Sequence, residues 1–172
     1  RINSQSVTIK TIWVRNLTKN RGVEAHFTDN PDDIFEDKDI NLIVELIDDA
    51  DAAYDIVKRA LKKRIPVVSG NKKMLAYHII ELIDLQEQYN TPLLYDASAC
   101  GSIPVIRNLE EYYDNDLLCS VKGILNGSSN FILSKIFNEH MSYGDALRLA
   151  QELGFAESNP TLDIDGWDSL FK

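Results

Sequence analysis

Short apolar runs and helically spaced apolar residues alternate along the first hundred positions. The apolar runs at residues 8–14, 40–46, 66–69 and 92–95 predict β-strands. Between the last three, apolar residues recur every three or four positions, which predicts helices around residues 53–61 and 75–83. Such repeats indicate an α/β fold with a parallel sheet and right-handed crossovers. Because the 40–46 run is almost wholly apolar, we expect a strand covered on both faces, as in a doubly wound sheet.

The pattern changes after Gly101. We predict a helix over residues 103–113 with Pro104 in its first turn, and a strand over residues 117–124. A polar loop at residues 126–130 is expected to cap an apolar helix over residues 131–137, and Ser142 with Asp145 predicts the start of a helix that ends at Gly154. We therefore divide the chain near Ile103, into residues 1–103 and 104–172, because ligand sites often form between domains.

Charge and composition exclude several classes of function. The 172 residues carry 18 basic and 27 acidic side chains, a net charge of −9, which disfavours nucleic acid and anionic membrane surfaces as partners. No apolar run approaches the roughly 18–20 residues that span a bilayer, and no signal peptide is visible. Two cysteines, Cys100 and Cys119, are too few for a disulfide framework, so we expect reduced thiols in a cytoplasmic protein.

The loops that follow the predicted strands are expected to meet along one edge of the sheet, where open α/β sheets bind their ligands. This places Ile47, Asn71 and Lys72 along a crevice with Arg15. The first predicted strand is followed by Arg15 and not by a glycine-rich loop, so we interpret residues 8–14 as the second strand of a dinucleotide-binding unit. An arginine after that strand accommodates a 2′-phosphate, so Arg15 favours NADP(H), although a solvated basic turn explains it equally well. Lys72 at a helix start would by itself suggest a solvated residue, but its place in the crevice favours contact with a cofactor or a substrate carbonyl.

Residues 96–104 form a turn of small side chains between a strand and a helix. Small residues allow backbone carbonyls to converge, which suits a monovalent cation or the close approach of a ligand, and an ordinary tight turn is the alternative. Cys100 in this turn has no histidine near it in sequence, so a structural thiol is the better interpretation.

Carboxylates are concentrated in the last nineteen residues, which end on a lysine. Glu157, Asp163, Asp165 and Asp168 can hold a small zwitterion by its ammonium group, and Lys172 can move a proton. Asp168 and Lys172 are also spaced for a surface ion pair on a helix. Neighbouring acids favour the charged lysine, so desolvation or a second cation such as Lys72 would have to oppose them for proton transfer near neutral pH.

Residues 41–172 resemble homoserine dehydrogenase. The resemblance rests on INLIVELI, IPVVSGNKKMLA, PLLYDASACGSIPVIRNL, GILNGSSNFIL, ALRLAQELGFAESNPTLDIDGWD and the closing Lys172, in the order and spacing of that family. It implies a Rossmann-type domain followed by an α+β substrate and dimerisation domain, and reduction of L-aspartate 4-semialdehyde to L-homoserine with NADH or NADPH. It further implies a homodimer that takes part in threonine and methionine biosynthesis.

The resemblance also implies residue roles. Lys172 resembles the family's proton donor, Lys72 a lysine shared by cofactor and substrate, and Glu157 the residue that binds the substrate amino group. Asp163 and Asp168 resemble supporting acids, and Ile47 stands at a cofactor-contacting position. The family's sodium site corresponds to four residues, Asp96, Ala99, Gly101 and Ile103. In that family the acid at position 96 is usually glutamate and the turn is usually richer in glycine. The cation site of this chain therefore has a shorter carboxylate and fewer glycines than the family pattern.

The resemblance leads us to expect an incomplete enzyme. The first strand with its glycine-rich loop and everything after the catalytic lysine are lacking, so we expect this chain alone to be weakly active or inactive. Two alternatives remain: another NAD(P)-dependent oxidoreductase acting on an amino-acid-like carbonyl, and a non-catalytic lobe of a bifunctional aspartokinase–homoserine dehydrogenase.

Overall fold

The computed structural model describes residues 6–157 and 159–172; residues 1–5 of the first predicted domain lie outside this range. Five short strands and nine helices are assigned within it. The strands are β1 (Ile12–Trp13), β2 (Phe27–Thr28), β3 (Ile43–Glu45), β4 (Val67–Ser69) and β5 (Leu93–Leu94). The helices are α1 (Asp32–Phe35), α2 (Ala50–Lys62), α3 (Lys72–Tyr89), α4 (Asp96–Cys100), α5 (Val105–Tyr112), α6 (Gly127–Glu139), α7 (Tyr143–Glu152), α8 (Thr161–Ile164) and α9 (Trp167–Phe171).

The predicted parallel α/β fold is confirmed for the three central strands. They pair in the order β3-β4-β5, with Ile43 opposite Val67 and Val67 opposite Leu93. Every pair is parallel, and the connections through α2 and α3 are the crossovers that the apolar periodicity predicts. The carboxyl ends of β3, β4 and β5 therefore meet at one edge of this sheet.

The first predicted strand belongs to a separate sheet. Only Ile12–Trp13 is a strand, and it pairs in parallel with Phe27–Thr28, a strand that the sequence did not predict. The nearby Lys10 reaches Asp37 at 2.6 Å and Asp39 at 2.9 Å. These ion pairs join the two-stranded sheet to the segment that precedes β3.

Helices α2 and α3 cover one face of the three-stranded sheet. The core beneath them contains Val57, Leu61, Val67, Met74 and Leu82, each fully buried. The opposite face is open in the described part of the chain, since Val44 is 57% exposed and Leu94 is 59% exposed. The expectation that the β3 strand is covered on both faces is therefore wrong for these residues, because the described helices pack on one side only.

The predicted strand at residues 117–124 is also wrong. This segment has no regular structure, and Leu117, Val121 and Ile124 are largely exposed. A strand requires a partner for its backbone N–H and C=O groups, and no described residue pairs with this segment.

The helices after Gly101 form a second, smaller core. Ile132 of α6 packs with Ala146 and Ala150 of α7 and with Ala156 beyond it. Pro104 stands at the N-cap of α5, one position before the predicted first turn. The loop at residues 126–130 is shorter than predicted because Asn126 caps α6 and the helix begins at Gly127, whereas the predicted start of α7 is confirmed by the Ser142 cap.

Candidate active site

The loops after β3 and β4 are tied together by buried polar contacts. Asn71 caps α3, its Oδ1 accepting from the Met74 N–H at 2.9 Å, and its Nδ2 donates to the Ile47 carbonyl at 2.8 Å. The side-chain amide is thus occupied on both sides by the protein. It fixes the position of Ile47 at the edge of the sheet, and also that of Lys72, the residue after Asn71.

Two lysines from distant parts of the chain share the Asp168 carboxylate. Lys72 Nζ, at the start of α3, lies 3.0 Å from Oδ1, and Lys172 Nζ, just after α9, lies 2.9 Å from Oδ2. The ion pair expected between Asp168 and Lys172 is therefore present, and the structure adds Lys72 as a second cation. Asp168 is only 15% exposed, so these contacts are poorly screened by solvent.

Asn126 holds the acids of this cluster in place. Its Nδ2 donates to Asp163 Oδ1 at 2.7 Å and to Asp168 Oδ2 at 2.8 Å, while its Oδ1 accepts from the Ser129 N–H at 2.7 Å. The Ser129 hydroxyl also donates to the Asp163 carbonyl at 3.0 Å. One amide thus caps α6 and connects it to α8 and α9.

The environment of Asp168 stabilises its ionised form. Burial is the largest single influence and raises its pKa, but hydrogen bonds from Asn126, Lys172 and Lys72 together outweigh it and lower the pKa to about 2. The carboxylate therefore stays charged through the neutral range and anchors both ammonium groups.

Lys172 keeps one N–H for a ligand once its contacts with the described residues are satisfied. Besides its contact with Asp168, its Nζ donates to the Leu125 carbonyl at 2.6 Å, and an ammonium group has three donors. The side chain is 20% exposed and lines a cavity of about 370 Å³ together with Lys72. The remaining lining residues are Ser98, Ala99, Cys100, Gly101, Ile103, Ile124 and Leu125.

Glu157 and Asp163, the two residues expected to bind the substrate amino group, have different surroundings. Asp163 is held on Asn126 and makes no ion pair with Lys72 or Lys172 in the described structure. Glu157 is exposed, and its carbonyl accepts from Gln151 Nε2 at 3.1 Å. Its carboxylate is not among the described groups that contact the Asp168 cluster.

The predicted turn over residues 96–104 is in part wrong, because residues 96–100 form helix α4 and only the residues after it form a turn. Together α4 and this turn contribute to the cavity wall three of the four residues expected at a cation site. Ala99, Gly101 and Ile103 line it, and Gly101 adopts φ +61°, a left-handed conformation that glycine tolerates best. Asp96 Oδ1 accepts from the Arg107 N–H at 3.1 Å, and the Ile103 carbonyl accepts from Val105 N–H at 2.8 Å. No cluster of three or more His, Cys, Asp or Glu side chains suited to a metal occurs among the described residues.

Arg15 lies away from the lysine cluster, next to the amino end of α2. Its Nη2 is 3.2 Å from Asp49 Oδ2, and Asp49 also caps α2 through the Ala52 N–H at 3.0 Å. The loops after β1 and β3 are therefore adjacent, as expected if both loops lie along the crevice. The guanidinium is largely exposed, so it can exchange this surface ion pair for another anion.

Sequence reasoning missed Asn126 and Glu45 as residues that shape the site. Asn126 stands immediately before α6, and an asparagine at a helix start is a visible capping signal, but its contacts to two acids join positions far apart in sequence. The apolar pattern predicts a strand through Glu45 but assigns this residue no role, whereas its carboxylate is only 3% exposed at the carboxyl end of β3. An acid inside an apolar run is the signal that could have identified it.

The parallel sheet with helical crossovers, which carries Lys72 beyond the carboxyl end of β4, has the arrangement of the doubly wound, Rossmann-like class of proteins. Two family models match the chain: "Homoserine dehydrogenase, NAD binding domain" over residues 2–96 and "Homoserine dehydrogenase" over residues 104–172. The chain belongs to the homoserine dehydrogenase family.

Individual relatives agree with this assignment. The homoserine dehydrogenase of Helicobacter pylori is 42% identical over 164 residues, which are 95% of this chain and 38% of that protein. The crystal structure of homoserine dehydrogenase from Thiobacillus denitrificans matches with a TM-score of 0.84 at 34% identity, over 94% of this chain and 38% of that one. A hyperthermophilic archaeal homoserine dehydrogenase solved in complex with NADPH matches with a TM-score of 0.72 at 29% identity, over 83% of this chain and 44% of that one. The chain thus spans about two fifths of the length of these relatives.

Proposed function

We propose that this chain forms part of a homoserine dehydrogenase that reduces L-aspartate 4-semialdehyde to L-homoserine with a nicotinamide cofactor, in threonine and methionine biosynthesis. The observation that carries the proposal is that Lys72, next to the carboxyl edge of a parallel sheet, and Lys172 share the partly buried carboxylate of Asp168. A cavity large enough for a small amino acid lies beside them.

Lys172 is the proton donor in this proposal. Reduction of an aldehyde places negative charge on its oxygen, and an ammonium group with one unused N–H can stabilise that charge and then transfer the proton. Asp168 and the Leu125 carbonyl fix the direction of the ammonium group, so the reacting oxygen meets a donor that is already oriented.

Lys72 and the acids orient the substrate. Lys72 has two N–H groups beyond its contact with Asp168 and can hold a substrate oxygen or a cofactor group in the cavity. Glu157 and Asp163 bind the substrate ammonium group. This assignment is supported for Asp163 by its fixed position on Asn126, and for Glu157 by the family motif alone, so Asp163 is the better supported of the two.

The cofactor is NADP(H) or NAD(H), which supplies the hydride when bound. The described crevice fits its binding because Ile47, Asn71 and Lys72 line one edge and the exposed guanidinium of Arg15 lies near the next loop. Asn71 acts by holding Ile47, and Arg15 pairs with a 2′-phosphate, so NADP(H) is the expected preference. The match to an archaeal relative solved with NADPH supports the same class of cofactor.

A monovalent cation, sodium, binds at Asp96, Ala99, Gly101 and Ile103. The fit rests on one carboxylate and on backbone carbonyls around the left-handed Gly101, and such oxygen donors suit a hard cation. The contact of Asp96 with the Arg107 N–H leaves its second carboxylate oxygen available.

We further propose that the chain divides into two domains between residues 103 and 104. The protein is a homodimer and is cytoplasmic. Two separate cores, one under α2 and α3 and one between α6 and α7, support the division. Exposed apolar side chains at residues 117–124 support association with further protein surface. Both cysteines are free thiols, which agrees with a reducing compartment, and no described helix has the length and apolar character needed to cross a membrane.

The decisive experiment measures NADPH and NADH oxidation by the protein at its natural length. L-Aspartate 4-semialdehyde should be reduced, with higher kcat/KM for NADPH than for NADH, and Arg15→Ala should narrow that difference. A panel of other amino-acid-like aldehydes serves as the control. Preference for another aldehyde would replace the proposal with the broader oxidoreductase alternative, and inactivity on all of them would favour a non-catalytic lobe.

A further inference from the structure

Glu45 is a buried carboxylate that the proposed reaction does not use. It stands at the carboxyl end of β3 and is 3% exposed, beneath the crevice. Burying an ionisable side chain is costly unless its oxygens are satisfied. The contacts of Glu45 therefore indicate what the residue holds in place.

Both oxygens of Glu45 are bonded to crevice loops. Oε1 accepts from the Ile47 N–H at 2.7 Å, in the loop after β3. Oε2 accepts from the Ser69 hydroxyl at 2.5 Å, at the end of β4, and Ser69 Oγ in turn accepts from the Asn71 N–H at 3.1 Å. The carboxylate thus connects the ends of two neighbouring strands.

These contacts close into a ring. Asn71 Nδ2 donates to the Ile47 carbonyl at 2.8 Å, so Glu45, Ile47, Asn71 and Ser69 are each bonded to the next. The loops also approach closely, because a Cβ added at Gly70 would lie 3.0 Å from Leu46 Cδ2. The ring holds the main chain that enters α3, whose first residue is Lys72.

We propose that Glu45 is a positioning residue, which acts through the Ser69–Asn71 loop to hold Lys72 against Asp168 and to keep Ile47 in place for the cofactor. The inference rests on the proposed function. It assigns to the ring a role in turnover, beyond its contribution to folding, because Asn71 of the ring directly precedes Lys72, which contacts Asp168.

Glu45→Gln tests the inference, because glutamine keeps the shape but has a single acceptor oxygen, so it cannot accept from the Ile47 N–H and from the Ser69 hydroxyl at the same time. In the protein at its natural length we expect kcat/KM for the semialdehyde to fall about tenfold or more. In a Lys72→Ala background the same change should cost less than about threefold, since residues that act through one another are not additive. Amide hydrogen exchange at Ile47 and Asn71 should be at least about tenfold faster in the glutamine variant.

A matched control lies at the opposite end of the sheet. Thr91 is also 3% exposed, and its Oγ1 donates to the Tyr89 carbonyl at 3.0 Å before β5. Thr91→Val removes a partly buried side-chain hydrogen bond of the same sheet without touching the ring, and it should leave kcat and both KM values within about twofold. Ser69→Ala breaks the ring without altering a charge and provides the measurement if Glu45→Gln does not fold.

The outcomes separate the two proposals. Faster exchange with unchanged kcat/KM would overturn the inference and leave Glu45 with a structural role only. Full additivity with Lys72→Ala would also overturn it. An unsubstituted protein that does not reduce the semialdehyde would overturn the proposed function, and with it the role in turnover, whereas the exchange data would still test whether the ring holds the loops.

Discussion

The two sides of the candidate site are built in different ways. On the sheet side, Lys72 follows loops that are fixed by strand pairing and by the buried ring around Glu45. On the helical side, Asp168 and Lys172 belong to a five-residue helix and its end, and they are held by Asn126, by the Leu125 carbonyl and by the two lysine contacts. The sheet side is therefore ordered by strand pairing together with a closed ring of hydrogen bonds, whereas the helical side depends on individual side-chain contacts without strand pairing.

The same contrast appears in the cores. The sheet core fully buries large side chains such as Leu61 and Met74, whereas the buried residues of the helical core are Ile132 and three alanines, with larger side chains only partly buried around them. A small core contributes less free energy of unfolding, so long-range polar contacts have a larger share in holding the helical side.

The largest expected effect is on turnover, at the point where the two sides meet. Lys172→Ala should lower kcat by about 10²–10⁴-fold, the usual contribution of a positioned proton donor, with cofactor affinity largely retained. Lys73→Ala is the matched control, because Lys73 is exposed and lies 6.0 Å from the Phe171 ring centre. Steady-state kinetics with the semialdehyde, and titration with NADPH, measure both. A comparable loss from Lys73→Ala would show that the wrong lysine has been chosen.

The second-largest expected effect is a loss of stability when a buried side chain of either core is shortened. Leu61→Ala and Ile132→Ala should each cost about 2–5 kcal/mol in local or global stability, because both side chains are buried. Amide hydrogen exchange should show the Ile132 variant loosening α6 and α7 while α2 and α3 stay protected. Leu133→Ala, at an exposed neighbouring position, should change little. Equal loosening of all four helices would mean that the two cores unfold as one unit.

Acid should weaken the helical side through Asp168. Its folded-state pKa of about 2 lies below the ordinary 3.8, so its stabilisation is complete above pH 3.8 and is lost as the pH falls through 2. The difference corresponds to about 2 kcal/mol. Denaturation curves between pH 5 and 2, at about half-unit steps, should show this dependence in the unsubstituted protein and a weaker one in Asp168→Asn. The exposed Asp165→Asn serves as the control, and an equal weakening there would remove Asp168 as the cause.

The smallest effect compares one helix cap from each side. Ser142→Ala removes the contact to the Asp145 N–H at 3.1 Å, and Asp49→Ala removes that to the Ala52 N–H at 3.0 Å. Each should cost about 1 kcal/mol. Thermal unfolding of both variants measures the costs. A much larger loss for Asp49→Ala would show that its surface pair with Arg15 also contributes to stability.

The sequence allowed much of the sheet side to be predicted. Strands β3, β4 and β5 and helices α2 and α3 follow directly from apolar periodicity, since a buried face repeats at the spacing of the element that carries it. Strand β2 was missed because two residues in a polar context give no periodic signal. The strand expected at residues 117–124 was wrong because an alternating pattern gives the propensity of a strand but does not provide the neighbour with which it pairs.

Most residues of the site could be predicted from the sequence, but the contacts between distant residues could not. Asp168 and Lys172 are four residues apart, so their contact was visible in the sequence, and Lys72 was identified as a possible second cation. The amide of Asn126 between two acids, and the carboxylate of Glu45 between two loops, depend on how separate elements are placed. Such contacts carry no local signature, because each partner alone is an ordinary cap or strand residue.

Asp168 accepts Lys72 from the sheet side and Lys172 from the helical side on its two oxygens. A hinge motion that parts the two sides would withdraw one ammonium group from the carboxylate and leave the other with a stronger hold on it. Any movement that separated the two sides would therefore change the charge of the cavity together with its width, because both sides share the Asp168 carboxylate.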